Sequence, residues 1–233
     1  TIFMTGEWEP SIGDLVRSRL RPGDTFIDVG ANVGYFSLLA SQCVGPRGNV
    51  FAIEASPTIF ANLRENIAEN NARNITAANV AVSNNKGTIC TWLGPPSNLG
   101  HSTIITKTGE FGAHTKEVNV EADTLVGIIG KKTLMQSRLV KIDIEGAERL
   151  AIEGIHELIA QFGEYTEWVI ELSNEFSPGG QKDTSYVFDV FANARYQAYQ
   201  IQTSGSPTSG REPLTTAPRD RLCDVLFTKR SYV

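Results

Sequence analysis

The sequence predicts an α/β protein with a doubly wound, mainly parallel sheet, and three observations predict it. Strand-like and helix-like segments alternate from Thr25 onward, the first strand stops on a glycine-bracketed turn, and two later strands end in acids. At 233 residues and 41% hydrophobic composition, the chain has the size and apolar content of one domain spanning 1–233.

Each element has its own signature. Ile12, Leu15, Val16 and Leu20 recur at helical spacing after Pro10 and stop at Pro22-Gly23, which predicts an amphipathic helix in an N-terminal segment over 1–24. TFIDVG predicts the first strand, and VGYFSLLASQC a helix starting near Asn32. NVFAIEA predicts the second strand. Pro57 suits the first turn of the next helix, with Ile59, Leu63, Ile67 and Asn70 on one face. ITAANVAVS reads as a third strand. Residues 84–123 break the alternation: GTICTWLG and KEVNVEAD predict strands around a Gly/Pro/Ser/Thr-rich stretch, an insertion expected over the substrate cleft rather than a second domain. Alternation resumes with the strand LVKIDIEG, a helix through AERLAIEGIHELIAQF, the strand WVIELS, a helix from about Asp183 to Ala194, the strand QAYQIQ and a last strand in DVLFTKR. The polar connection from Thr203 to Arg221 reads as a lid, a binding loop or a mobile segment.

The glycine turn carries the first functional signal. A strand that delivers Asp28 and Gly30 to a sharp turn lets backbone approach a ligand at the carboxyl edge of a sheet. The dinucleotide fingerprint is GxGxxG, whose close glycines seat a pyrophosphate against a helix amino end. Here Gly30 and Gly34 enclose Ala31, Asn32 and Val33 in a GxxxG spacing, with Asp28 just before them. A carboxylate aimed into the turn repels a pyrophosphate and accepts from an amine or hydroxyl. The reading therefore leans from NAD toward S-adenosylmethionine, which brings an α-amino group, a zwitterionic tail and no phosphate. Glu54 ends the second strand, where an acid accepts from ribose hydroxyls. For Asp28, capping of the turn is a second and compatible role.

In LVKIDIEGAE, strand alternation puts Val140, Ile142 and Ile144 on one face and Lys141, Asp143 and Glu145 on the other. Central parallel strands are buried on both faces, so these charges are costly unless they emerge at the carboxyl edge, where the cleft lies. Asp143 and Glu145 are thus pocket candidates. Gly146 permits close approach, and Glu148 stands in the first turn of the next helix. The alternative is a Lys141–Glu145 ion pair or a helix-cap network.

Bulk properties exclude several classes. A net charge of -5 argues against a phosphate-backbone binder, so the expected partner is a small molecule and not nucleic acid. No apolar run approaches the ~20 residues that cross a bilayer, and no charged start precedes an apolar core and cleavage site, which favours the cytoplasm. Cys43, Cys90 and Cys223 form no CxxC pair and have no histidine cluster nearby, so they predict neither disulfides nor zinc. No pattern fixes an oligomeric state.

By these residues the chain is similar to the FkbM family of S-adenosylmethionine-dependent methyltransferases. The resemblance runs through GEWEP at Gly6–Pro10, FIDVGANVGYFSLLA at Phe26–Ala40, AIEASP with Asn62 and Leu63, the AVS and Gly87 stretch, VKIDIEGAE at Val140–Glu148 and IELS near Glu171. It implies a class I methyltransferase fold, Rossmann-like, with seven strands, helices on both faces and the last strand antiparallel. It also implies that Asp28, Gly30, Asn32 and Gly34 surround the methionine part of the cofactor, and that Glu54 with the adjoining Ala55 holds the ribose. Ala81 to Ser83 border the adenine, and Asp143 with Glu145 face the reacting end. The implied activity is O-methylation of a sugar or of a hydroxyl on a glycosylated or polyketide natural product. Many relatives carry a proline after the acid where this chain has AIEAS, a change expected to alter the loop but keep the ribose contact.

Methyl transfer is an in-line displacement at a sulfonium carbon, and an alcohol needs a base or a metal to attack it. Asp143 is the leading candidate base or orienter. Glu145 and His101, in the polar insertion, are the other candidates, and Glu171 is a further carboxylate for the acceptor end. Glu145 and Glu171 could also hold Mg²⁺ between them, although no spacing indicates a metal site. Trp8 and Glu9 are expected to close over the substrate. Trp92, Trp168 and Tyr186 are either core or sugar-stacking surfaces. Two other readings remain beside the methyltransferase: an NAD(P)-dependent oxidoreductase, and a non-catalytic module that binds the donor.

Overall fold

Two short apolar strands set the centre of the architecture. β1 (Thr25–Val29) and β7 (Leu139–Ile142) run parallel in register, with Asp28 opposite Lys141 and Val29 opposite Ile142. A computed structural model describes residues 7–93, 116–202, 212–220 and 222–230. To one side of β1 lie β2 (Asn49–Ile53) and β3 (Ile75–Ala78); to the other side of β7 lie β8 (Glu167–Ser173), β10 (Leu222–Thr228) and β9 (Gln197–Gln200). The seven-stranded order is β3-β2-β1-β7-β8-β10-β9, and β10 runs antiparallel to both neighbours. The chain therefore leaves β1 in one direction and re-enters at β7 in the other, which opens a crevice at the carboxyl ends of these strands. The expected seven strands and antiparallel last strand are both present.

Side-chain alternation divides the core into two layers. Phe26, Val50, Leu139, Val169 and Leu226 point to the face covered by α1 (Pro10–Arg19) and α2 (Tyr35–Val44), and Ala52 on that face meets Leu63 of α3 (Pro57–Glu69). Ile27, Val140, Trp168, Ile170 and Phe227 point to the opposite layer. There they meet α4 (Leu125–Ile129), α5 (Lys131–Met135), α6 (Glu148–Glu153), α7 (His156–Ile159) and α8 (Gln181–Asn193). Trp168 is fully buried between Phe162 and Phe191, at ring separations of 5.1 and 5.5 Å, so it is core and not a sugar platform. Tyr186 packs under Arg149, 4.8 Å from its guanidinium, and also lies off the cleft. The Trp92 side chain is outside those described.

Local chemistry explains the helix ends. Pro10 and Pro57 occupy first helical positions, and the Ser56 hydroxyl caps α3 by accepting from the Ile59 amide. α1 buries Ile12, Leu15 and Val16 and turns Asp14 and Arg17 outward. Its last residue, Arg19, reaches 3.0 Å to the fully buried Glu167 at the start of β8, which Arg138 also meets at 2.7 Å. These contacts fix α1 against the amino-terminal edge of the sheet, opposite the crevice.

The elements depart from expectation in four places. ITAANVAVS is two strands: after β3 the Asn79 side chain donates to the Glu54 and Ala55 carbonyls, and β4 (Ala81–Val82) joins a separate sheet of order β4-β6-β5. That sheet holds β5 (Gly87–Leu93) and β6 (Lys116–Asp123), the two strands expected in the insertion, paired antiparallel. The helix expected through AERLAIEGIHELIAQF breaks into α6 and α7 at Gly154, which packs so closely on the Ser83 carbonyl that a Cβ would stand 2.6 Å from it. α4 and α5 occupy a segment with no expected element. Asn70, expected on the apolar face of α3, is its exposed C-cap.

Candidate active site

The carboxyl ends of β1, β2, β7 and β8 surround a cavity of about 480 Å³. Gly30 to Val33 form one wall, Glu54 and Ala55 a second, and Val80 to Val82 a third. Lys141, Asp143, Glu145 and Glu171 face them, and Trp8, Glu9, Phe176 and Leu222 are also in the lining.

The first wall is built by hydrogen bonds between strand ends. The Gly30 and Ala31 amides both donate to the Ile53 carbonyl, at 2.9 and 3.0 Å, which ties the turn after β1 to the end of β2. Gly30 has φ +81 and lies so close under the Asp143 carbonyl that any side chain would overlap it. Asn32 also takes a left-handed conformation, φ 51, one that asparagine tolerates better than most residues. Its amide is thereby presented to Glu54. Asn66 of α3 donates to the Val33 carbonyl at 2.7 Å and holds the turn from the other side.

Glu54 is 7% exposed, and both carboxylate oxygens are engaged: Oε2 accepts from the Asn32 amide at 3.0 Å and Oε1 from the Ser56 amide at 2.8 Å. Burial pushes its pKa up to about 7, against the two amide donors, and Asp28 and Asp143 push the same way. Each oxygen keeps a second lone pair for a ligand in the cavity.

Not every expected residue reaches the cavity. Asp28 is 1% exposed and lies behind the lining, where Oδ2 accepts from the Ser37 hydroxyl at 2.6 Å and Oδ1 has no hydrogen-bond partner. Gly34 is off the lining, at the start of α2 against Leu63. Ser83 is buried beside β6, while Ala81 and Val82 line the wall. His101 lies outside the described residues. Gly30, Asn32, Glu54, Ala55, Ala81, Asp143, Glu145, Glu171, Trp8 and Glu9 all converge on the one cavity.

The opposite wall is strongly acidic. Lys141 is buried, donates to Asp143 Oδ2 at 2.7 Å, and sits 5.1 Å from the centre of the Phe36 ring. The ion pair is with Asp143 and not with Glu145, because β7 ends at Ile142 and the chain turns through Glu145 at φ 52 and Gly146 at φ 95. Glu148 holds this turn by accepting from the Ile144 and Gly146 amides, at 3.2 and 3.0 Å. Glu171 lies opposite Asp224 in the antiparallel register, and its Oε2 is buried without a hydrogen-bond partner. One carboxylate oxygen from each of Asp143, Glu145 and Glu171 lies within 4.8 Å of the others, the only triad with metal-ligand potential among the described residues. Burial, then the neighbouring Asp143, pushes Glu145 up to about 7 and Glu171 up to about 11. Burial with Glu9 and Asp143 pushes Asp224 up to about 7. Lys141 in the lining, and Asp224 beside Glu171 but off the lining, were not expected. The register of β10 on β8 places Asp224, and burial of a lysine in a central strand marks Lys141.

These shifts have a consequence for stability. Glu54, Glu145, Glu148 and Asp224 hold their protons to about pH 7 in the folded chain, but an unfolded carboxyl releases its proton near pH 4. Between those values the folded state binds more protons, so stability falls as pH rises through about 7. Thermal unfolding of the ligand-free chain is expected several degrees higher at pH 5.5 than at pH 8. A rising Tm over that interval would contradict the buried acid cluster.

Comparison with known proteins agrees with this architecture. The family described as methyltransferase FkbM domain matches residues 28–198. The chain is 28% identical over 165 residues to the 31-O-demethyl-FK506 methyltransferase FkbM of Streptomyces tacrolimicus, covering 59% of this chain and 62% of that protein. It is 30% identical over 165 residues to the methyltransferase sdnD of Sordaria araneosa, covering 58% and 62%. The chain thus spans about three fifths of the length of these curated relatives. Among solved structures, the methyltransferase FkbM from Methylobacillus flagellatus superposes with a TM-score of 0.55 at 15% identity, covering 97% of this chain and 52% of that one. A putative rRNA methylase from Clostridium thermocellum superposes with a TM-score of 0.54 at 11% identity, covering 95% of each. Among the described residues, no helix is long and apolar enough to cross a membrane.

Proposed function

The chain belongs to the FkbM family of S-adenosylmethionine-dependent methyltransferases, and on that premise we propose that it transfers a methyl group to a hydroxyl of a sugar or polyketide-type small molecule. One observation carries the reading. Glu54 presents a buried carboxylate to the same cavity whose far wall is formed by Asp143, Glu145 and Glu171, so a nucleoside seat and a reacting end face each other. The backbone of Gly30 and Asn32 takes the methionine part, Glu54 with Ala55 the ribose, and Ala81 borders the adenine. The acceptor enters between Trp8, Glu9 and Glu171. The insertion that carries His101 supplies the rest of its specificity. The name of the Streptomyces relative supports an oxygen acceptor.

The chain's own groups account for the step. The acceptor hydroxyl attacks the methyl carbon in line with the carbon–sulfur bond; a carbon–oxygen bond forms, the sulfonium takes the bonding pair, and the hydroxyl proton passes to a carboxylate. Glu145 takes precedence over Asp143 as that base. Its pKa near 7 suits proton transfer at neutral pH, while Lys141 already holds one oxygen of Asp143. A divalent cation across Asp143, Glu145 and Glu171 would serve the same end, and activity after EDTA treatment separates the two routes.

Calorimetry is expected to give micromolar binding of S-adenosylmethionine, on the order of -8 kcal/mol, and none of NADH. Labelled donor is expected to methylate a member of a panel of sugars, glycolipids and polyketide alcohols. Tight NADH binding without donor binding would make the chain an oxidoreductase. Donor binding without transfer to any acceptor would make it a non-catalytic module.

A further inference from the structure

Lys141 is a buried cation that takes no part in the transfer itself. It is 3% exposed in the central strand of the sheet, yet its side chain reaches the cavity lining. A lysine so placed loses its hydration and persists only where anions and oriented neighbours replace it. Those neighbours are identifiable. Asp28 lies opposite it across the β1–β7 register, Asp143 Oδ2 accepts a hydrogen bond from its ammonium at 2.7 Å, and the Phe36 ring centre lies 5.1 Å from the ammonium. Asp28, Asp143 and Glu9 each stabilise its charge. Asp28 itself does not line the cavity; it pairs with Ser37 and acts on Lys141 through its charge, while Asp143, which does line the cavity, takes the lysine's hydrogen bond.

We propose that Lys141 is the positioning residue of this site: with the Asp28 charge on the neighbouring strand favouring its ammonium, it fixes the Asp143 carboxylate by one oxygen and so orients it toward the bound methyl donor. Resting on the methyl-transfer reading, this assigns Asp28 a part in donor binding that is transmitted through Lys141 and not made by contact. An Asp143 without its lysine would face Glu9, Glu145 and Glu171 with no compensating charge and would turn away from the donor. Lys141 touches neither the transferred methyl group nor the base, and it is not a catalytic residue.

A double-mutant cycle on donor binding tests this without knowledge of the acceptor. Binding of S-adenosylmethionine to the full chain is measured by calorimetry for Lys141→Met, Asp143→Asn and the double variant. Each single change is expected to weaken binding about tenfold, and the double about tenfold again from wild type rather than a hundredfold, because the lysine acts only through the aspartate. Additive losses, or a Lys141→Met variant that binds within threefold of wild type, would overturn the proposal. If Lys141→Met does not fold, Asp28→Asn/Lys141→Met removes the facing charges together and replaces it in the cycle. Failure of both to fold makes Lys141 a structural charge and equally overturns the positioning role. Wild-type chain that binds no donor would instead sink the methyl-transfer reading, an outcome the cycle keeps separate.

Discussion

Replacing Glu54 with glutamine is expected to weaken S-adenosylmethionine binding by at least a hundredfold while leaving the chain folded. The side chain accepts from two backbone amides, of Asn32 and Ser56, and turns its remaining lone pairs toward the cavity. Two ribose hydroxyls donating to an ionised carboxylate are worth about 1.5–3 kcal/mol each. A glutamine keeps one acceptor oxygen, and its amide group would meet the Asn32 or Ser56 amide donor to donor. The wild-type affinity should also depend on pH, because burial holds the Glu54 pKa at about 7 and, on the proposed reading, the donor would bind the ionised form. Below that value a proton must leave for each ligand bound, so the dissociation constant rises up to about tenfold per pH unit. Calorimetry at pH 8 and pH 5.5, in buffers of different ionisation enthalpy, reads both affinity and proton release. Equal affinity at the two pH values, with no proton released, would remove Glu54 from the ribose.

The fate of particular residues shows how far sequence alone reached. The place of Glu54 at the cavity was legible because the end of a parallel strand beside a glycine turn opens onto the crevice at the sheet's carboxyl edge. Asp28 was legible as to face but not depth: alternation states the side of the sheet, and only the packing of α2, which brings Ser37 to its carboxylate, sets it behind the cavity. Asp143 and Glu145 both line the cavity, and the alternative of a Lys141–Glu145 ion pair fails because the strand ends at Ile142 and positive φ at Glu145 and Gly146 redirects the side chains. ITAANVAVS has continuous strand propensity, and its division depends on Asn79 finding two carbonyls across the chain after β2. Asp224 could not be placed before the register of β10 on β8 was known, since one residue of slip would send it to the other face. The apolar pattern reports what is buried and in which layer; the contacts that aim charged groups into a cavity are long-range and leave no local period.

Gly30 carries the largest expected effect on the fold itself. Substitution by alanine is expected to unfold the chain or remove most of its stability, for two separable reasons. The φ of +81 costs an L residue about 1–2 kcal/mol. In addition, the new Cβ would overlap the Asp143 carbonyl oxygen and stand 2.8 Å from its carbon and 3.2 Å from Ile144 Cγ2. The obstructing atoms are backbone. They are fixed by the amide of Asp143 donating to the Val29 carbonyl at 3.0 Å and by the amide of Gly30 donating to the Ile53 carbonyl at 2.9 Å. Relief would require β1 and β7 to separate at the point where the sheet changes direction. Gly23 provides the control, because its φ of +96 imposes the same conformational cost while nothing stands within 4 Å of its Cβ position. Urea unfolding of Gly23→Ala should therefore register about 1–2 kcal/mol, and Gly30→Ala a loss well beyond it. If the two variants agree within about 1 kcal/mol, the close approach of β1 to the Asp143 carbonyl is not what requires glycine at this position. The cavity wall formed by Gly30 to Val33 would then be held by the amide bonds to the Ile53 carbonyl and by the Asn32–Glu54 and Val33–Asn66 contacts.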